Sequence, residues 1–346
     1  MGLRHPVDLA EWLTWQRRQQ HLTRRVKARL RPSAPTKGTL WTIGHGSPKL
    51  LAVADALTPT VKAAILNPAL RVAAADVPVT VLASVDIDLS GAGLTKAGHG
   101  LAADLLNEHA RAATVALSLG PYLALGAAAF TWCERTSSTY VTVQHGLLTP
   151  HAPPLARGTR LLAWSEADGQ FWRSGREDIS VDVVGSPLLW EAASAQSTAD
   201  VTGATPLYLG QLHGAELPRE EMADAARRFC LATGAAYRPH PSETDRRSRA
   251  FHAKLKGDGV DIENSGKTLA ELARPVVSVF STGILEAAVR GLPAWADFPD
   301  PPPWLEEFWT RYGMQRWGGL PTPPPPMRAE EPSSAIAHIL LGMMDG

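Results

Sequence analysis

Charge of one sign is the first thing this chain lacks: 34 basic residues balance 34 acidic ones, for a formal net charge of +0. No global field draws it to nucleic acid, although a local basic patch is compatible with that balance. Cysteine is nearly absent. Only Cys133 and Cys230 occur, far apart on helix-like segments, so a C-x-x-C zinc or redox motif is excluded and buried reduced thiols are expected. Residues Met1 to Pro6 hold no apolar core of signal-peptide length. The most apolar stretch, Thr114 to Trp132, is interrupted by Gly120-Pro121 and Gly126, too punctuated for a membrane span. A cytoplasmic location is therefore expected. There is no internal repeat of fixed period. No D-x-D pair stands in a loop suited to a divalent metal, since Asp86-Ile87-Asp88 sits at a strand end or turn. Metal independence and the lack of a resident cofactor follow as expectations.

At 346 residues, 45% hydrophobic and 20% charged, the chain is long enough for two globular cores. Trp12, Leu13, Trp15 and the basic run Arg17, Arg18, Arg24, Arg25, Lys27, Arg29 and Arg31 suggest an amphipathic basic helix. Two readings of it stand: a helix packed on its domain with a solvated basic face, or peripheral contact with the inner face of an anionic plasma membrane. After Pro32–Pro35, strand-like runs at Leu40–Ile43, Val79–Leu82, Thr114–Leu117, Tyr140–Val143, Arg160–Trp164 and Val181–Val184 alternate with helical ones. The Ala-rich stretches Leu50–Leu57, Leu101–Arg111 and Tyr122–Thr131 are read as helices. Ala192–Ala204 lacks periodicity and reads as a linker. A second series follows, with strands at Leu207–Gly210, Val276–Val279 and Pro293–Ala296, and helices at Arg219–Thr233, Asp245–Lys256, Ile284–Arg290 and Ala335–Met343. Pro299–Pro303 and Pro321–Pro326 are loops or extended segments. Alternation of this kind predicts an α/β protein with mostly parallel sheets. The expected layout is a basic helix and linker over 1–36, a Rossmann-like domain over 37–190, a second over 205–330, and a closing helix over 331–346.

Two segments of the second half carry the clearest chemistry. Arg238-Pro239-His240-Pro241-Ser242-Glu243 and Phe280-Ser281-Thr282-Gly283 each follow a strand-like run and precede a helix. In a doubly wound sheet such positions are strand C-termini, where ligands bind. The flanking prolines restrict the backbone around His240. Ser281, Thr282 and Gly283 are an ordinary capped helix start and also an anion site, because hydroxyls and free amides favour a phosphate. Arg238 adds charge. Glu286, one turn further, reads either as a ligand for a ribose or sugar hydroxyl or as a dipole partner. In the first half, Gln144-His145-Gly146 closes a strand, and His145 is read as a general base or a hydrogen-bond donor to a phosphate, or as a structural histidine. His45, in Gly44-His45-Gly46-Ser47, holds a similar strand-end position and is a candidate acceptor contact. Glu166 and Asp168, in Glu166-Ala167-Asp168-Gly169, are acceptor-side candidates whose plainer role is to complement a helix dipole.

The order Gln144-His145-Gly146, Val184-Gly185-Ser186-Pro187, Arg238-Pro239-His240-Pro241 and Ser281-Thr282 resembles bacterial surface-polysaccharide transferases of GT-B fold, over roughly Tyr140 to Trp295. The nearest comparisons are polysialyltransferase-like proteins, capsule Kdo transferases and CDP-glycerol glycerophosphotransferases. The resemblance implies two doubly wound Rossmann-like domains facing a central cleft, with the donor on the C-terminal domain and the acceptor on the N-terminal one. It matches His240-Pro241 and Ser281-Thr282 to motifs that contact the phosphate of a CMP-linked donor, and His145-Gly146 to a functional His-Gly motif. The two-acid-plus-Gly base motif of the sialyltransferases has no good match; Glu166-Ala167-Asp168-Gly169 is displaced and interrupted. The implied activity is transfer of a sugar from a nucleotide-activated, CMP-linked donor to a glycan or lipid-linked acceptor in capsule or cell-envelope polysaccharide synthesis. Alternatives are a glycerophosphotransferase using CDP-glycerol, a UDP-sugar epimerase, and a non-catalytic scaffold in polysaccharide assembly.

Overall fold

The computed structural model describes residues 2–19, 35–195, 201 and 203–345. Arg24, Arg25, Lys27, Arg29 and Arg31, most of the Pro32–Pro35 linker and part of the Ala192–Ala204 linker lie outside the described residues. The chain forms two compact units, one of Gly2–Leu188 with Arg328–Gly346 and one of Leu189–Met327. Both are α/β, as expected. Among the described residues no helix is long and apolar enough to cross a membrane.

The N-terminal unit carries eight strands: β1 (Lys37–Ile43), β2 (Leu50–Ala54), β3 (Val79–Ala83), β4 (Thr95–Leu101), β5 (Val115–Ser118), β6 (Thr139–Val143), β7 (Arg160–Ala163) and β8 (Ser180–Val183). They lie in the order β4-β1-β3-β2-β5-β6-β7-β8. From β3 to β8 every pairing is parallel, whereas β1 runs antiparallel to both β3 and β4. The sheet is thus mixed rather than wholly parallel, and the run at Leu40–Ile43 points against its neighbours. Two further differences from the sequence reading have physical causes. Leu50–Ala54 is not a helix: Leu50, Ala52 and Ala54 join one core cluster and Leu51 and Val53 the other. That period-two division is what a strand buried on both faces requires, and burial overrides alanine's helical preference. β4 escapes detection because its pattern is polar, glycine-containing and mostly exposed, as an edge strand allows.

Five helices of this unit bear on the site: α1 (Leu9–Gln19), α2 (Asn67–Ala74), α3 (Ala102–His109), α4 (Ala124–Thr136) and α5 (Glu166–Arg173). Val72 of α2 lies on one face of the sheet; Leu105 and Leu106 of α3 and Leu125 and Trp132 of α4 lie on the other. The C-terminal helix Pro332–Asp345 belongs to the same unit, where Ile336 and Leu340 are fully buried among the residues of the α2 face. Of the two readings of the N-terminal segment, its described part takes the packed one. Trp12 is buried, with its indole N–H donating to the His151 carbonyl at 2.8 Å, and Trp15 stacks on His151 at 4.8 Å.

The C-terminal unit has four parallel strands, β9 (Leu207–Leu209), β10 (Ala236–Arg238), β11 (Val276–Ser278) and β12 (Ala294–Ala296), in the order β10-β9-β11-β12. Single parallel bridges extend both edges, Ile262 beside Tyr237 and Arg316 beside Ala296. Counted along the chain, the six positions then lie in the order 3-2-1-4-5-6, that of a Rossmann sheet. Its helices are α6 (Arg219–Thr233), α7 (Arg246–Gly257), α8 (Leu269–Leu272), α9 (Thr282–Val289) and α10 (Pro303–Arg311).

Candidate functional site

In an open α/β sheet the ligand crevice lies at the C-terminal strand ends, where the strand order reverses. In the C-terminal unit that place is between β9 and β11. Gln211, two residues past β9, spans it: its Oε1 accepts the Phe280 amide at 2.9 Å and lies 3.0 Å from the Ser278 hydroxyl. Gly210 is required here, because a Cβ would fall 2.2 Å from the Tyr237 hydroxyl and 2.7 Å from Glu243 Oε1. β11 leads into α9 with Ser281 as N-cap, its hydroxyl accepting the Gly283 amide at 3.1 Å. Gly283 also presses on β9: a Cβ would meet Leu209 Cδ1 at 2.4 Å. Ser281 and Thr282 remain part-exposed. This helix start uses its Gly283 amide on the Ser281 hydroxyl and its Ile284 amide on the Ser281 carbonyl, which leaves the Thr282 amide and the part-exposed hydroxyls of Ser281 and Thr282 beside the switch point, at the positive end of the helix dipole.

His240 stands near the start of the neighbouring loop, two residues after β10. Its Nδ1 accepts the Ser242 amide at 3.1 Å, which fixes the ring's neutral form with the proton on Nε2. Burial lowers its pKa, partly offset by the charge of Glu243, so at neutral pH His240 is a hydrogen-bond donor and not a cation. Arg238 points a guanidinium N–H at the Lys267 carbonyl (2.7 Å) and stands 3.6 Å from Glu263. Glu286 pairs with Arg290 one turn on (3.4 Å); burial raises its pKa against the pull of Arg290 and Arg238. Arg238 and Glu286 are thus brought within electrostatic reach of one another. β9 separates the His240 loop from Ser281 and Thr282, and among the described residues no hydrogen bond joins them.

In the N-terminal unit the order of the parallel strands reverses between β2 and β5. Here the chain supplies its own anion. Asp55, directly after β2, accepts the Leu125 amide of α4 through Oδ1 at 2.9 Å, while its Oδ2 is buried without a partner. Desolvation raises its pKa, against the lowering effect of the Leu125 and Gly126 amides. The misread strand at Leu50–Ala54 is what hid Asp55 in the sequence.

His145, after β6, is partly buried. Its Nε2 lies 3.0 Å from the Tyr122 hydroxyl, the two rings stack at 6.2 Å, and Trp12 meets Tyr122 edge-on at 5.9 Å. Its Nδ1 is buried without a hydrogen-bond partner. Burial drives its pKa down to about 4, only slightly relieved by the Val143 carbonyl. One nitrogen is engaged by the Tyr122 hydroxyl and the other faces the interior, contacts that suit a structural histidine.

The acceptor-side candidates separate. Because β1 is antiparallel, Gly44-His45-Gly46 leaves it beside Val79, at the start of β3. His45 is exposed at the end of the sheet where the parallel strands begin, opposite the strand ends that carry Asp55 and His145, which corrects its expected placement. Glu166 and Asp168 open α5 at the end of β7. Ser165 is the N-cap and takes the Asp168 amide at 3.1 Å, while its hydroxyl donates to Asp168 Oδ2 at 3.0 Å; Glu166 accepts from Gln170. Both acids serve the helix start, the plainer of their two readings. Both cysteines are buried and free, with burial pushing each thiol to about 12. No family model matches this chain, and no curated protein matches it.

Proposed function

We propose that the chain is a glycosyltransferase of bacterial surface-polysaccharide assembly, taking a sugar from a CMP-linked donor held by its C-terminal unit. The observation that carries the proposal is the switch point between β9 and β11. There a Rossmann-ordered sheet presents the Thr282 amide and the hydroxyls of Ser281 and Thr282, with the His240 Nε2–H one loop away. Those donors suit a phosphate whose charge grows as the sugar leaves. His240, neutral at rest, costs little to keep in a buried site and donates without a covalent step. Arg238 and Glu286, flanking the same strand ends, are the candidates for the rest of the nucleotide. The acceptor is assigned to the N-terminal unit, with no base named among its residues.

Thermal-shift measurements on the full chain with CMP, CDP, UMP and UDP test this. A nucleotide at a hundredfold excess over its Kd stabilises by about 2.7 kcal/mol, a melting rise of several degrees. We expect the cytidine nucleotides to give that rise and His240→Ala to abolish it, with transfer falling about a hundredfold. Silence across the panel contradicts the proposal. Phosphorus retained in the product redirects it to a glycerophosphate transferase.

A further inference from the structure

The His213 ring lies face to face with His240, centroids 3.7 Å apart and planes 17° from parallel. The two loops that carry these rings share one buried carboxylate. Glu243 accepts the Leu212 amide and the Tyr237 hydroxyl, each at 2.9 Å, and stands 2.9 Å from His252 Nε2. The Glu243 amide donates to the His240 carbonyl at 2.8 Å, and the Gly210 amide to the Arg238 carbonyl at 2.8 Å. His213 is therefore held under His240 from both sides of the β9–β10 pair. His213 keeps an exposed edge, and His240 has Nε2 left for a ligand once Nδ1 has taken the Ser242 amide.

We propose that His213 is a second imidazole of the phosphate site, and that the His213–His240 pair takes up one proton when it binds a phosphate dianion. The proposal rests on the reading above only in setting a phosphate at His240. Two parallel imidazoles in contact can carry one positive charge, but a second is opposed by the first at short range. Without ligand the pair is neutral at pH 7.5, above the ordinary imidazole value of about 6.5, and desolvation where the rings stack lowers both further, although the outer edge of His213 is exposed. The groups that bear on it are few. Glu243, from the loop after β10, favours a proton on either ring, and Arg219, at the start of α6, opposes one on His213. His252 reaches the pair only through the Glu243 carboxylate. A dianion outweighs Arg219, and a protonated ring returns a charge-assisted hydrogen bond, stronger than the neutral one.

Calorimetric titration of the full chain tests this, with inorganic phosphate and separately with CMP, at pH 7.5 in buffers of differing ionisation enthalpy. The wild type is expected to take up about one proton per ligand, the imidazole being the side chain that titrates in this range. His213→Gln, polar but non-titrating, is expected to take up none and to bind about tenfold more weakly, the loss of one charge-assisted contact. His213→Phe keeps a flat ring in the stack and reports the same loss if the glutamine variant folds poorly. Binding without proton uptake in the wild type overturns the inference and leaves the nucleotide reading standing. Uptake unchanged in both variants overturns it too. If neither phosphate nor CMP binds, the inference and that reading fall together.

Discussion

In the N-terminal unit, the helix that follows β5 begins against Asp55, whose carboxylate takes the Leu125 amide. In the C-terminal unit, the helix that follows β11 begins at Ser281 with only that residue's hydroxyl on the Gly283 amide. Both helices carry an early glycine that lets them crowd the sheet. A Cβ on Gly126 would lie 2.1 Å from the Gly120 carbonyl, and one on Gly283 2.4 Å from Leu209. The histidines differ in the same direction. Both rings are partly buried, but His145 Nε2 meets the Tyr122 hydroxyl, while His240 keeps Nε2 and stacks on an exposed partner, His213. One switch point is filled by a carboxylate from within the chain; at the other, among the described residues, only hydroxyl and carbonyl oxygens of Ser281 meet the helix start. The helix dipole is the same in both, so what distinguishes a site from a packing feature is whether the chain has already answered it.

The comparison breaks most visibly if the enclosure of His145 is removed. Trp12→Ala should cost about 3–5 kcal/mol, the usual loss for a buried Trp, in urea denaturation of the full chain. An unchanged midpoint would mean that α1 does not hold Tyr122 and His145.

Acid should act nearly as strongly on the enclosed side. Burial holds His145 near pKa 4, and His151 near 4 as well, with Arg4 and His5 adding to the latter. An unfolded imidazole titrates near about 6.5. Between those values the unfolded chain binds protons that the folded chain refuses, so stability falls as pH drops from about 6.5 to 4 and levels off below. For His145 the loss is about 3 kcal/mol. His145→Asn should flatten that part of the slope; an unaltered slope would show that the ring is not enclosed.

The two glycines sharpen the contrast further. Gly126→Ala meets a backbone carbonyl that cannot move aside, whereas Gly283→Ala meets the end of a leucine side chain. The second should cost about 1–3 kcal/mol, typical of overpacking, and the first more. Equal costs would imply that the two helix starts are equally pliable. Smallest of all is Glu166→Ala. As an exposed cap-region acid it should change stability by no more than about 0.5 kcal/mol and leave transfer intact. A large loss of turnover would restore it as the base.

How much of this was legible in the sequence depended on whether local pattern and burial agreed. The second half read well: the bounds of α6 are those expected, and His240 and Ser281 stand at strand ends because Pro239, Pro241 and the Ser-Thr-Gly cap punctuate the chain there. In the first half, Leu50–Ala54 has a helix former's composition and a central strand's environment, so Asp55 went unseen. His45 was misplaced because a strand's direction does not show in its residues. His213 left no local signal, since its role comes from a stack across two loops 27 residues apart in sequence. The Glu243 carboxylate that fixes that stack looks in sequence like any helix-cap acid.

The contrast between the two switch points is tested most directly by mapping CMP onto the backbone amides by NMR. The account predicts shifts confined to Gly210–His213, His240–Ser242 and Ser281–Gly283, with Asp55, Tyr122 and His145 unmoved. Shifts that cluster at Asp55, Tyr122 and His145, with the His240 and Ser281 amides silent, would contradict it.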